Sequence, residues 1–323
     1  MNFDKVFKQL KKYNLLEYID DVNLWILKLN DRQINNILKL NNKIVKICLK
    51  NKDMLVDLNL LNSDYYIEDI IIINNEKEDY GWLKLLACNF NSLNSKYHLN
   101  DMKLIKASSF NNCQCLYNVA TNLNSLSSCF HEEDMNLIKS EDNIYKAINM
   151  SVLACFNDSL NSIYHKEDML LIKNSKNSFI STKLCFVATS KYSLLSMYHL
   201  YDMQLVNSAT SDFAAEYLSI VATDNNSLNS KYHKSDMKLI SKAKNLDIQK
   251  YLSYFATDIT SLESNHHESD MLQIASAKNN NSALYLFNQL RARLNIEKKD
   301  LDINYVDENS DKPILKKQDK KVL

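Results

Sequence analysis

Apolar and polar positions along this chain follow a pattern that returns about every 34 residues. In one unit, Met150, Leu153 and Ala154 stand at positions i, i+3 and i+4, the spacing of one face of an α-helix. After a polar stretch, Met169 and the pair Leu171-Ile172 form a second apolar stripe. Each unit is therefore predicted to contain two amphipathic helices joined by a polar turn.

A short sequence motif, called the phrase below, precedes the second helix of every unit. It consists of a Ser-Leu pair, then Ser, one variable residue, an aromatic residue, His, two variable residues, Asp and Met; in the last unit a histidine replaces the aromatic residue. The aspartates are 33, 34, 34, 34 and 34 residues apart. A fixed period of this size is typical of stacked solenoids. The six aspartates are Asp101, Asp134, Asp168, Asp202, Asp236 and Asp270.

The period predicts an all-α fold, an α-solenoid of stacked helix-turn-helix repeats with a 34-residue period. We expect the solenoid to span residues 53–295, with one degenerate repeat around Asp69, six clear repeats and a C-terminal capping helix. Residues 1–52 are predicted to form a helical N-terminal cap, because terminal repeats need an altered outer face. Residues 296–323 are charged and lack periodicity, which predicts a flexible tail.

The composition supports helices and excludes several nucleotide-binding folds. The chain has one glycine, Gly81, and one proline, Pro313. Glycine-rich phosphate loops and dinucleotide-binding turns therefore cannot exist here, and large β folds are disfavoured. Asparagine tolerates left-handed backbone, so Asn-rich turns are expected to connect the helices.

Helix pairs of this length resemble the tetratricopeptide and pentatricopeptide solenoids. The resemblance covers about residues 60–295 and rests on the period and on helix pairing. The tetratricopeptide signature of a Trp, a Leu-Gly pair and a terminal Pro is absent. The resemblance therefore implies an architecture and no functional residues.

The repeated His and Asp are predicted to cap the second helix. With His at the N-cap and Asp three residues later, the carboxylate would reach back to the N-cap amide in a capping box, and the aromatic residue and Met would form a hydrophobic staple. Because His is a poor N-cap, the serine three residues before it is an alternative cap. The predicted caps are His98, Asp101, His131, Asp134, His165, Asp168, His199, Asp202, His233, Asp236, His267 and Asp270.

Catalytic and metal sites find little support in these repeats. Equivalent residues on stacked helices lie about 8–10 Å apart, whereas zinc ligands converge within about 2.1 Å of the ion. One His per repeat therefore predicts a row and not a cluster. We expect no metal, no cofactor and no enzymatic activity; an enzyme that uses the His row is a distant alternative.

The charge balance and the number of cysteines bear on the expected binding partner and cellular compartment. The chain carries 39 basic and 39 acidic residues, and a nucleic-acid binder usually has a basic excess. The seven cysteines are odd in number, which favours free thiols in the cytoplasm. We find no signal peptide and no apolar run long enough to span a membrane.

The expected function is a non-catalytic scaffold that binds a protein or peptide partner along the solenoid surface. Residues that vary within the fixed template are the candidate contacts: Tyr117, Asn118, Phe186, Ile220, Tyr254 and Asp258. The alternative is RNA or single-stranded DNA binding along a basic ridge. That ridge would consist of Lys103, Lys106, Lys139, Lys173 and Lys238.

Overall fold

The computed structural model describes residues 3–48, 52–74 and 81–304. These residues form 25 α-helices and two short 3-10 helices, Leu16–Tyr18 and Lys52–Val56, and the described ranges contain no strand. The chain divides into two compact units, Met1–Thr223 (unit 1) and Asp224–Leu323 (unit 2). Each unit is described separately below.

The N-terminal part of unit 1 is built from short helices. Its core is apolar: Val6, Leu10, Ile37 and Leu60 are fully buried. The helices are α1 (Phe3–Lys12), α2 (Val22–Leu27), α3 (Asp31–Leu38), α4 (Asn42–Ile47), α5 (Leu58–Leu61) and α6 (Tyr66–Asn74).

Each clear repeat contributes three helices, and we name the repeat by its aspartate. In unit 1 they are α7 (Gly81–Ala87), α8 (Phe90–Leu93), α9 (His98–Lys106), α10 (Phe110–Thr121), α11 (Leu123–Ser127), α12 (His131–Lys139), α13 (Ile144–Cys155), α14 (Asn157–Leu160), α15 (His165–Lys173), α16 (Ser178–Ala188), α17 (Lys191–Leu195), α18 (His199–Asn207) and α19 (Asp212–Thr223). In unit 2 they are α20 (Asn225–Leu228), α21 (His233–Lys242), α22 (Leu246–Thr257), α23 (Ile259–Glu263) and α24 (His267–Ala275), followed by α25 (Asn280–Asn304).

The prediction of two helices per repeat was therefore incomplete. The segment that carries the Ser-Leu pair is itself a helix of four or five residues, too short to show an apolar period. Its first turn is capped by a polar side chain in most repeats. Asn122 accepts hydrogen bonds from the amides of Asn124 and Ser125 at 2.9 and 3.1 Å, and Asp258 caps α23 in the same way.

Successive repeats pack row against row, which confirms the predicted solenoid class. In unit 1 the first helices α10, α13, α16 and α19 pack in chain order, and the short helices α11, α14 and α17 form a second row. The third helices α9 and α12, and likewise α15 and α18, pack on each other. In unit 2, α20 packs on α23, α21 on α24 and α22 on α25.

The apolar stripes seen in the sequence form the core. Met102, Met135, Met169, Met203, Met237 and Met271 are fully buried. The alanine fourteen residues before each aspartate is also fully buried: Ala87, Ala120, Ala154, Ala188, Ala222 and Ala256. Both sets therefore lie where a larger or smaller side chain would disturb close packing.

The turns differ from the expectation of left-handed asparagines. Within the described ranges, Asn14 is the one non-glycine residue with a positive φ, at 55°. The asparagines of the repeats act instead as helix N-caps: Asn143, Asn177 and Asn245 accept hydrogen bonds from the first turns of α13, α16 and α22. These loops thus lead into the next helix through a side-chain cap and without a left-handed residue.

The C-terminal helix is longer than the sequence suggested. Helix α25 continues to Asn304, beyond the predicted start of the tail at residue 296. Residues 305–323 of the predicted tail lie outside the described residues. Among the described residues, no helix combines the length and the apolar character of a transmembrane span.

Candidate functional site

The histidine of each repeat joins two hydrogen bonds in the protein interior. In the Asp202 repeat, Ser193 Oγ lies 2.9 Å from His199 Nδ1. On the other side of the ring, His199 Nε2 lies 2.9 Å from Asp168 Oδ2 of the preceding repeat. All three side chains are fully buried. We call such a Ser–His–Asp arrangement a rung.

The same rung recurs with nearly constant geometry. The Ser–His distances are 2.8–2.9 Å and the shorter His–Asp distances are 2.9–3.0 Å. The rungs of unit 1 are Ser92–His98–Asp69, Ser125–His131–Asp101, Ser159–His165–Asp134 and Ser193–His199–Asp168; unit 2 contains Ser261–His267–Asp236. Also in unit 2, Ser227 Oγ lies 2.9 Å from His233 Nδ1.

The predicted capping box is wrong. Helix α9 begins at His98, the N-cap residue is Tyr97, and its side chain makes no capping hydrogen bond. The Tyr97 amide donates to Ser95 Oγ at 3.1 Å, so the serine proposed as the alternative cap satisfies this group. Asp101 accepts from His131 instead of the N-cap amide. The remaining third helices of the repeats likewise begin at the His without a side-chain cap.

In four repeats the aromatic residue before the His lies against the His ring of the next repeat, in a stacked or tilted arrangement. The ring centroids of Tyr164 and His199 lie 4.6 Å apart, and those of Tyr97 and His131 lie 4.4 Å apart. The phrase therefore supplies two contacts to the following repeat, one polar through Asp and one through the ring. The hydrophobic staple between the aromatic residue and Met stays a prediction.

Different residues occupy the ends of the rung series. At the N-terminal end, Tyr66 stands where later repeats have His, and its hydroxyl donates to the carbonyl of Leu55 at 3.1 Å. At the C-terminal end, no repeat follows Asp270, and the Arg293 guanidinium of α25 donates to its Oδ2. The last carboxylate is thus paired by a cation from the capping helix.

The rungs contain the residues of a hydrolase triad in the opposite orientation. In serine hydrolases the nucleophile contacts His Nε2 and the carboxylate contacts Nδ1. Here Ser193 contacts Nδ1 and Asp168 contacts Nε2. Because Ser193 is fully buried, a substrate cannot reach its hydroxyl in the folded protein.

Burial shifts the pKa values of the aspartates in the rungs. Burial raises the pKa of the Asp168 carboxyl above its ordinary 3.8, and the hydrogen bond from His199 opposes part of this shift. Burial likewise raises the pKa of Asp69, Asp101, Asp134 and Asp236. In the tautomer that carries its proton on Nε2, the ring donates to the aspartate and its Nδ1 accepts from the serine hydroxyl.

The described residues hold no group of three or more His, Cys, Asp or Glu side chains with a metal-binding arrangement. All seven cysteines lie within the described ranges, and none of them forms a disulfide there. Burial raises the pKa of the Cys88 and Cys155 thiols to about 12, which leaves them protonated near neutral pH.

Several first helices expose an apolar side chain at one repeat position, sixteen residues before the aspartate. In unit 1 this apolar row consists of Leu85, Val152, Phe186 and Ile220, all exposed; Asn118 is the polar member between them. Tyr254 holds the position in unit 2 and is also exposed. On α13, Tyr145 and Ile148 widen the exposed apolar face.

The six candidate contact residues therefore fall into two groups. Asn118, Phe186, Ile220 and Tyr254 occupy the exposed position just described. Tyr117 is half-buried and its ring lies 5.2 Å from that of Trp82. Asp258 is the N-cap of α23, so its carboxylate is already used within the fold.

The five candidate lysines do not form a uniform set. Lys106 donates to the Ile72 carbonyl at 2.7 Å, and Lys173 donates to Ser140 Oγ, both in the preceding repeat. Lys103 and Lys238 are exposed on their third helices, and Lys139 is half-buried. At the position of Lys103, the next three repeats carry Asn136, Leu170 and Gln204, so no basic run follows it in unit 1.

The sequence analysis did not predict that Ser, His and Asp form hydrogen-bonded rungs. The available signal was an unchanging His, which is a poor N-cap, accompanied by an unchanging Asp in every repeat. No family model, curated protein or solved structure matches this chain.

Proposed function

We propose that this protein is a non-catalytic repeat scaffold that binds a protein or peptide partner along the exposed face of its first helices. The observation that carries the proposal is the apolar row Leu85, Val152, Phe186 and Ile220 in unit 1. Single exposed apolar side chains are ordinary, but a series in register on packed helices is typical of an interaction surface.

The row suits a partner with apolar side chains. Helices α13, α16 and α19 pack side by side, so Val152, Phe186 and Ile220 lie on neighbouring helices of one layer. Tyr145 and Ile148 add aromatic and aliphatic surface on α13. A segment that places apolar residues against several neighbouring helices would bury all of them together.

The rungs support a structural rather than a catalytic role for the repeated His. Their serines are inaccessible and their orientation is opposite to that of hydrolases. Cysteines without disulfides in the described ranges favour a reducing compartment. Under this proposal, the likeness to tetratricopeptide and pentatricopeptide solenoids extends to the use of an elongated repeat surface for binding.

Nucleic-acid binding is less well supported. Lys106 and Lys173 use their ammonium groups to bridge repeats, which leaves fewer cations for phosphates. The equal numbers of basic and acidic residues also give no general attraction to a polyanion.

The test is affinity purification from lysate of the source organism, with and without nuclease, using wild type and two double variants. Val152→Asp with Phe186→Asp places two charges in the apolar row. The matched control, Leu170→Asp with Gln204→Asp, places two charges at exposed positions of the same repeats on their third helices.

We expect a protein that resists nuclease and is retained by the control but lost from the row variant. Equal capture by wild type and the folded row variant would refute the proposed surface. Recovery of RNA or DNA, with all proteins lost after nuclease treatment and at raised salt, would favour the nucleic-acid alternative.

A further inference from the structure

Two neighbouring repeats of unit 1 expose large apolar side chains around their short helices. Ile163 and Met197 are each 85% exposed, and Leu195 is 77% exposed. Tyr192, on the same short helix as Leu195, is also exposed. We call these four residues the apolar patch. It lies beside α14 and α17, whereas the apolar row lies on the first helices.

Each residue of the patch replaces a polar residue that makes a contact in other repeats. At the position of Ile163 and Met197, Lys96 and Lys231 place their ammonium groups over the following tyrosine ring. At the position of Leu195, Asn94 donates to the Phe90 carbonyl at 2.8 Å. The patch thus forgoes local stabilising contacts, so packing of the repeat does not explain it.

A third position departs from the template in the same two repeats. Asn91 and Asn124 donate their side-chain amides to the carbonyls of Thr121 and Cys155 in the next repeat, at 3.1 and 3.2 Å. The equivalent residues are Asp158 and Tyr192. A carboxylate cannot donate a hydrogen bond, and Asp158 is exposed.

The patch borders a groove with one acidic and one basic wall. A cavity of about 430 Å³ lies between the two segments, lined on one side by Asp158, Asn161 and Ile163 and on the other by Lys191, Leu194 and Leu195. Asp158 and Lys191 are both exposed, and neither forms an ion pair among the described residues. In unit 2, the corresponding groove is lined mainly by Asn225, Asn226, Asn229, Lys231 and Glu263.

We propose that the apolar patch is a self-association surface and that its occupant is a second copy of this chain. If one wall of the groove meets the opposite wall of the other copy, two-fold symmetry provides the reverse contact as well. Asp158 then faces Lys191 of the other copy, and Ile163 faces its Leu195. The pairing neutralises both charges and covers the exposed apolar side chains.

The association is weak and reversible. Stable dimers bury about 800 Å² per copy, and four side chains with their rim supply only part of that area. The dimer therefore forms at high protein concentration and dissociates on dilution. The proposal is independent of the proposed partner-binding row, so either can fail while the other stands.

The test is sedimentation equilibrium of the full chain over a wide concentration range. The wild-type average mass is expected to rise from that of one chain toward that of two. Ile163→Asp and Met197→Asp should each keep the protein monomeric at every concentration. Asn265→Asp is the matched control, an exposed residue at the same repeat position in unit 2, and should associate as wild type.

A charge exchange tests the symmetric arrangement. Asp158→Lys and Lys191→Asp should each weaken association severalfold, because like charges then face each other, and the double exchange should restore it. Circular dichroism checks that each variant remains folded. A wild type that stays monomeric, association that survives Met197→Asp, or a double exchange that fails to restore association would each overturn the proposal.

Discussion

Asp168 and His199 are hydrogen-bonded across the boundary between two repeats, with Oδ2 and Nε2 2.9 Å apart and both side chains fully buried. The two residues are 31 positions apart in the chain. Their hydrogen bond therefore joins one repeat to the next, instead of fixing the start of a single helix.

Replacement of Asp168 by Ala should strongly destabilise unit 1. The change leaves His199 Nε2 without its acceptor inside the protein, and a buried donor left unsatisfied costs about 1–3 kcal/mol, and more where a charged group is involved. A lost helix cap would cost only about 1 kcal/mol. Urea denaturation followed by circular dichroism measures the difference. Glu167→Ala, an exposed neighbour on the same helix, should change stability by less than about 0.5 kcal/mol.

Stability should depend on pH through the same carboxyl. Because burial raises the pKa of Asp168 above 3.8, this group favours the folded state fully below pH 3.8, and the contribution is lost as pH rises through the raised value. The unfolding free energy of wild type minus that of Asp168→Asn should therefore fall as pH rises from about 4 toward neutrality. An increase over this range would indicate an ordinary carboxylate with a lowered pKa.

The buried methionines can be tested independently of the rungs. Met169 is fully buried, and Met169→Ala removes a core side chain and leaves a cavity, at a cost of about 2–5 kcal/mol. Leu170→Ala changes the adjacent, exposed residue and should cost less than about 1 kcal/mol. Equal shifts of the thermal midpoint for both variants would contradict the assignment of the inward face.

The cysteines should differ sharply in reactivity. Cys129 is exposed, whereas burial raises the pKa of Cys48 and Cys185 to about 11 and that of Cys88 and Cys155 to about 12. An aromatic disulfide reagent should therefore modify one thiol rapidly in the native protein and the others after unfolding. Cys129→Ser should abolish the rapid phase. Rapid modification of several thiols in the wild type would show that the buried cysteine side chains are accessible to the reagent.

The repeat period and the apolar stripes were sufficient to predict the fold class. Met169 and Ala154 recur at fixed positions, and both are fully buried. The short helix of each repeat was missed because four or five residues cannot display a helical period. Its N-caps, such as Asn122 and Asp258, could be recognised only once the first residue of the helix was known.

The roles of His and Asp were misassigned for a different reason. Capping rules consider residues three apart, such as His165 and Asp168, and these face different repeats in the structure. The true partner of Asp168 is in the following repeat. Local sequence does not show which side chains of two packed repeats come within hydrogen-bond distance. The exposed candidates Phe186 and Ile220 were identified because they vary, but variation alone did not separate them from Asp258, which is a cap.

The rungs also determine how the length of this chain could change. Each repeat of unit 1 brings a Ser–His pair that needs an acceptor before it and an Asp that needs a donor after it. Duplication or deletion of one whole 34-residue unit leaves every interior donor with an acceptor. Growth by tandem gene duplication is therefore tolerated in whole units, whereas a fractional insertion leaves buried polar groups unpaired.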